Sequence, residues 1–292
     1  MMKDIFQTKC LTLPLLLLVC TVTLITGCGE KYTSPQGYDL DKPVKMELGK
    51  VLNEISGLSY NTDDNTLLAI SDSKRKVFQL SINRRKLKDF TGNVVPPDSD
   101  IEDLVRLDSV IFMLASRGII YEVPAHAQDT TSVIPHPFWS NEKNDFETIY
   151  YDPAVNSLIM LCKTCAFEKG QGTHSAFRFD LKTKRFDSTE FYTILDKDVA
   201  KLAKDDQVKF RPSAAAIHPF SKRLFILASA DNLLMIADSR GQVQEVYHLN
   251  PDQFPQAEGI AFAPNGDMYI SNEAKYGNAT LQIFPYKAEK EK

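Results

Sequence analysis

A chain of 292 residues has room for one large or two ordinary domains. With 43% hydrophobic and 25% charged residues, it has the composition of a folded globular protein and excludes a disordered one. The net charge is −4, and Lys and Arg are spread along the chain with no dense basic run, which excludes nucleic acid as a partner.

In chain order, the first feature is Lys3 and Lys9 ahead of an apolar stretch from Leu11 to Ile25, ending in Leu24-Ile25-Thr26-Gly27-Cys28. A basic start, a short apolar run and small residues before a cysteine describe a secretory signal over residues 1–27. The alternative, a transmembrane anchor, needs about 20 apolar residues; this run is shorter and holds Pro14, Thr21 and Thr23. Its ending resembles a bacterial lipobox. The resemblance implies cleavage before Cys28 and an acyl lipid such as palmitate at that residue, giving a lipoprotein tied to the membrane without spanning it. Gly29 stands where an inner-membrane retention signal has Asp, so the outer membrane of the cell envelope is the expected location. Residues 28–42 are polar, contain Ser34-Pro35 and show no apolar period, and read as a lipidated tether.

From residue 43 onward a repeat organises the chain. Ser56-Gly57-Leu58 is followed by TLLAIS, Glu102-Asp103-Leu104 by VIFMLAS, and Glu147-Thr148-Ile149 by SLIMLCK. Ser213-Ala214-Ala215 is followed by RLFILAS, and Glu258-Gly259-Ile260 by DMYIS. Each unit sets a small or acidic residue before an apolar strand, then a turn, then a second strongly apolar strand. A third strand follows (KVFQLSI, IIYEV, AFRFDL, LLMIAD, LQIFPY), and in three units a more polar fourth (KLKDFTG, RFDSTEFY, VQEVYHL). The key positions are 46, 45, 66 and 45 residues apart. Four short strands per roughly 45 residues are the mark of a β-propeller blade. The expectation is an all-β protein, a five-bladed β-propeller over residues 43–287, with six blades as the alternative. Val44–Leu48 alternates and supplies the fourth strand missing from the last blade, closing the ring. A charged tail fills 288–292.

Three local features complete the reading. The long interval holds YTILDKDVAKLAKDD, with Ile194, Leu195, Val199 and Leu202 at helical spacing, and predicts one inserted surface helix. Cys162 and Cys165 form a CxxC at the end of a strand, read as structural cysteines, bridged or free. The alternative, a zinc half-site, lacks a second CxxC or paired histidines. Asn265-Gly266 predicts a tight hairpin turn with positive φ at both residues.

Five-fold geometry brings Ser56, Glu102, Glu147, Ser213 and Glu258 into one ring at the channel mouth. Three neighbouring carboxylates repel one another and raise their own pKa values. Protons or a cation resolve this, and carboxylates with hydroxyls suit Ca²⁺. The bland alternative is a polar, water-filled channel. The ends of the second strands and the residues preceding the ring add Asp72, Arg117, Lys163, Arg211 and Glu273, a rim fitted to a small anionic ligand.

Through EISGLSYNTDDNTLLAIS, DFETIYYDP and above all QAEGIAFAPNGDMYISNE, the mature chain resembles the SdiA-regulated family of envelope propellers, related to phytase-like and NHL-type propellers. The order Ser, Glu, Glu, Ser, Glu is similar to the central calcium site of the calcium-activated nucleotidases (apyrases), which implies Ser56, Glu102, Glu147, Ser213 and Glu258 as metal ligands. Their wider nucleotide-binding motifs are missing here. So are GxSxG, HExxH, GxxxxGK[ST] and GxGxxG. His218 reads as a core or turn histidine, and His174 as the better-exposed one. The expectation is a monomeric calcium-binding envelope lipoprotein that binds a small ligand or an envelope protein on its channel face. The alternatives are a metal-dependent hydrolase of phosphate esters, with Arg117, Lys163 or Arg211 clamping the anion, and a non-catalytic scaffold.

Overall fold

The computed structural model describes residues 32–140, 142–275 and 277–288. The signal segment 1–27, Cys28 and most of the charged tail lie outside the described residues. No helix among the described residues is long and apolar enough to cross a membrane.

The strands form five antiparallel sheets, and each takes the place of one blade. The innermost strands are Ile55–Asn61, Ile101–Leu107, Phe146–Asp152, Ala214–Ile217 and Ala257–Phe262. Each packs against the inner strands of both neighbours, so the ring closes. Blade five is completed by Val44–Glu47 on Thr280–Phe284, with Val44 opposite Ile283. The expected five blades and this closure both hold.

The second strands run apolar without alternation because both of their faces are covered by adjacent blades. Thr66–Ser71, Ser157–Cys162 and Leu224–Ala228 are buried at every position. The core is accordingly five interblade cores. Leu68, Ile101 and Met113 fill the first; Phe112, Phe146 and Phe177 the next; Tyr150, Ile226 and Met235 the one after. The core between blades four and five also takes Tyr38 and Leu40. The Tyr38 hydroxyl donates to the Gly266 carbonyl at 2.6 Å. The ordered domain therefore begins before residue 43. Two apolar side chains in a polar segment carry no period, yet each fills its own hole between blades.

Three other expectations are corrected. Blade two has a fourth strand, Ile134–Pro137, that its two prolines conceal; an outermost strand tolerates Pro because one side pairs with nothing. The inserted segment divides into a strand, Tyr192–Leu195, paired with Thr173–Ala176, and a helix over Asp196–Ala203 only. Ile194 and Leu195 thus belong to the strand, while Val199 faces the core and Leu202 is exposed. Tyr, Thr and Ile favour the sheet edge, and Asp196 and Asp198 favour the helix start. In the closing hairpin only Gly266 has positive φ (+88°). Its amide bonds the Ala263 carbonyl, making a three-residue loop with Gly at the left-handed position.

Two glycines next to the ring allow the inner strands to crowd the axis. A Cβ on Gly57 would stand 2.6 Å from Asp103 Oδ1 and 2.9 Å from the Asp103 Cα; one on Gly259 would stand 2.4 Å from Ser271 Oγ. Because Cα cannot rotate away, Gly57→Ala is expected to cost about 1–3 kcal/mol by overpacking. Urea denaturation checks this, and a loss below 0.5 kcal/mol, roughly the surface-substitution range, would contradict it.

Candidate metal centre

The inner strands do not start regularly. In blades one, two, three and five the register slips across Ile55/Gly57, Ile101/Asp103, Phe146/Thr148 and Ala257/Gly259. The residue skipped each time is Ser56, Glu102, Glu147 or Glu258. In blade four the Ser213 amide bonds the Leu227 carbonyl while Ala214 is already paired with Leu227, which is the same arrangement. Every ring residue is thus the extra residue of a β-bulge, a device that re-aims one side chain out of the alternation of its strand. The bulges turn all five toward one cavity of about 230 Å³ at the mouth of the channel.

Two further tiers surround the ring. The residue leaving each second strand donates its amide to the residue two before the ring position: Asp72 to Glu54, Ser116 to Asp100, Lys163 to Asp145 and Glu273 to Gln256, at 2.9–3.1 Å. In blade four the Ser229 amide bonds Ser213 Oγ instead, at 3.2 Å. Of the expected rim, Asp72, Lys163 and Glu273 line the cavity. Arg117 does not: it is exposed, one residue past the rim position that Ser116 holds, and successive strand residues face opposite ways. Arg211 is tied to Asp231 by two bonds of 3.2 Å and also lies outside the lining. The anion clamp of three basic residues is not assembled. Glu54 and Gln256 join the lining; their signal was a fixed offset from the ring, visible only once the register is known.

The cavity is strongly acidic. Glu54, Asp72, Glu102, Glu147, Glu258 and Glu273 line it against a single base, Lys163. Burial, reinforced by Glu147, Asp100 and Asp145, pushes the Glu102 carboxyl up to about 9. Burial and Glu147 push Glu258 up to about 7, against a hydrogen bond from Ser229 and the charge of Lys163. Burial also raises Glu147, although Lys163 opposes it. The Lys163 ammonium is bonded to Glu147 Oε1. Burial alone would depress Lys163, but the charges of Glu147 and Glu258 outweigh it and hold the amine above its ordinary range.

The donor set suits a hard cation. Ser56 Oγ donates to the Glu54 carbonyl at 3.3 Å and Ser213 Oγ to the Ala257 carbonyl at 2.8 Å. Each hydroxyl proton is thereby spent on backbone, leaving oxygen lone pairs for the cavity. The three ring carboxylates do not all converge within 4.8 Å of one another, and Lys163 stands beside them. An ion on the axis would have to draw them in and take over the amine's charge.

Two histidines are structural. His218 is buried in a turn, where Nδ1 accepts the Ser221 amide at 3.1 Å, and burial lowers it to about 4. His174 is buried in the strand Thr173–Asp180 instead of exposed in a loop, with Nε2 3.0 Å from Asp196 Oδ1. Cys162 and Cys165 are bridged.

Solved structures with the same fold include a luciferin-regenerating enzyme at TM-score 0.51 and 12% identity, covering 84% of this chain and 95% of that one. Another is regucalcin from Agrobacterium tumefaciens, described as a calcium-binding protein, at 0.51 and 11%, covering 88% and 96%. A third is a gluconolactonase from Xanthomonas campestris at 0.50 and 10%, covering 84% and 90%. At these identities the likeness is one of fold alone. None of the curated proteins matches the sequence. The family model named SdiA-regulated matches residues 32–276, which takes in the inner strand of every blade and all five ring positions, and the chain belongs to the SdiA-regulated family.

Proposed function

We propose that this protein is a calcium-binding lipoprotein of the cell envelope, tethered through lipid on Cys28, that presents its channel face to a small ligand or an envelope protein. One observation carries the reading: five bulges aim Ser56, Glu102, Glu147, Ser213 and Glu258 into a single cavity whose lining holds six carboxylates and one lysine. Buried like charges at this density call for a cation, and Ca²⁺ accepts six to eight oxygens in flexible geometry. The likeness of the ring order to calcium-activated nucleotidases and the fold shared with a calcium-binding propeller support the choice of ion. The excess of carboxylates favours a ligand that is cationic or bridged through the metal over a free anion.

A site formed only in the folded state stabilises it by RT ln(1 + [L]/Kd), about 2.7 kcal/mol at a hundredfold excess over Kd. Thermal unfolding of the metal-stripped domain is therefore expected to shift upward by several degrees with calcium and to return with EDTA. Glu102→Gln combined with Glu258→Gln is expected to abolish the shift while leaving the fold intact. Metal analysis of the purified protein gives the identity of the ion. An unchanged midpoint with calcium at millimolar excess would reject the reading.

A further inference from the structure

Behind Lys163, the CxxC pair sits in a second site of different chemistry. Cys162 ends the second strand of blade three, and Cys165 precedes the turn Ala166–Glu168, which folds Glu168 back over the sulfurs. Both sulfurs and one carboxylate oxygen of Glu168 lie within 4.8 Å of one another. Among the described residues this is the one group of three or more Cys, His, Asp or Glu side chains so placed. All three are more than nine-tenths buried, at 0%, 3% and 7% exposure.

Glu168 is the anomaly. Its Oε1 accepts the Ser175 amide, but Oε2 is buried with no hydrogen-bond partner. An unsatisfied buried oxygen costs on the order of 1–3 kcal/mol and calls for a reason. A disulfide gives none, since its sulfurs have no proton to donate. A metal ion held by the two sulfurs does.

We propose that Cys162, Cys165 and Glu168 form a redox-gated site for a soft divalent metal ion, with zinc as the ion that fits. The disulfide is the closed state. A dithiol opens it by exchange: its two sulfurs become a disulfide, and Cys162 and Cys165 each receive one electron and one proton. Zn²⁺ then displaces both protons. Two thiolates and the Glu168 carboxylate give three protein ligands, and water takes the fourth position. Two thiolates from one CxxC set this site apart from the all-oxygen ring, which suits a hard cation. The third ligand follows at C-x2-C-x2-E spacing, and only the turn after Cys165 brings it into place.

The test uses the full chain, reduced under argon with a water-soluble phosphine that becomes its oxide and does not compete for metal. Cobalt(II) is the probe. The expected result is one equivalent bound with a thiolate-to-cobalt charge-transfer band, displaced by one equivalent of zinc and absent from the oxidised protein. Glu168→Gln is expected to weaken cobalt binding roughly tenfold or more with both thiols present. Calcium added at millimolar excess, which addresses the all-oxygen ring, is expected to leave the band unchanged. No band in reduced protein whose near-UV circular dichroism is native would overturn the proposal. So would equal cobalt affinity in Glu168→Gln, or loss of the fold on reduction alone. The readout is independent of calcium in the ring, so either site can fail without the other.

Discussion

Asp103→Ala is expected to lower the unfolding free energy by roughly 3 kcal/mol, an effect out of proportion to one side chain next to a solvent channel. Asp103 is 3% exposed and bridges two blades. Its Oδ1 accepts the Leu104 amide at 2.8 Å, in its own strand, and Oδ2 accepts the Ile149 amide at 3.0 Å, in the inner strand of the next blade. Burial pushes this carboxyl far up, while those two amides pull it back. Alanine relieves the cost of burying a carboxyl, but it strands two buried N–H groups, each worth about 1–3 kcal/mol when unsatisfied. The second effect wins because no other acceptor replaces the carboxylate at either amide. Asp103→Asn keeps one acceptor and is expected to recover about half of the loss. Urea unfolding of the three proteins at one pH measures this; equal stability of wild type and Asp103→Ala would show that the bridge contributes nothing.

The second large effect is a pH dependence that calcium is expected to flatten. Glu102 and Glu258 have folded-state pKa values pushed up to about 9 and about 7, from an ordinary value of 4.5. A carboxyl raised on folding favours the folded state while protonated. That contribution is complete below the unfolded value near 4.5 and is lost as pH rises through the folded values. Metal-free protein should therefore be more stable at pH 5 than at pH 8, by several kcal/mol. On the proposed reading calcium would bind the ionised ring, so its stabilisation should be small at pH 5 and grow toward pH 8, flattening the profile. Melting curves at several pH values, with EDTA and with calcium, test both halves. Glu102→Gln is expected to reduce the slope of the EDTA series. A metal-free profile that rises from pH 5 to pH 8 would contradict the argument.

Much of this was legible in the amino-acid order. The buried second strands announce themselves as TLLAIS, VIFMLA, SLIMLC and LFILA, since a strand covered on both faces needs no polar alternation. The spacing of Ser56, Glu102, Glu147, Ser213 and Glu258 located the ring because each blade repeats the same path to the axis. What stayed hidden depends on register. Arg117 and Ser116 are adjacent in sequence, and only the pairing of Ile101 with Ala115 sets Ser116 against Asp100 and leaves Arg117 exposed beyond it. Likewise Lys163, expected to face an anion, is held by Glu147, a partner set by the strand ends coming together in three dimensions. Tyr38 and Leu40 escaped notice because a docked segment without secondary structure leaves no period to read.

The five bulges have a consequence for how such a protein can change. In blades one, two, three and five the bulged residue is skipped by the register of its blade, since the residues on either side carry the pairing. Its side chain can be exchanged while the strands, the interblade cores and the closure by Val44–Glu47 remain as they are. The mouth of the channel is in this sense a set of four interchangeable fittings on a fixed frame, with Ser213 tied into that frame by its bonds to Ala257 and Ser229. Relatives with the same blades can change the chemistry of the channel mouth by altering single letters at those places while keeping the same frame.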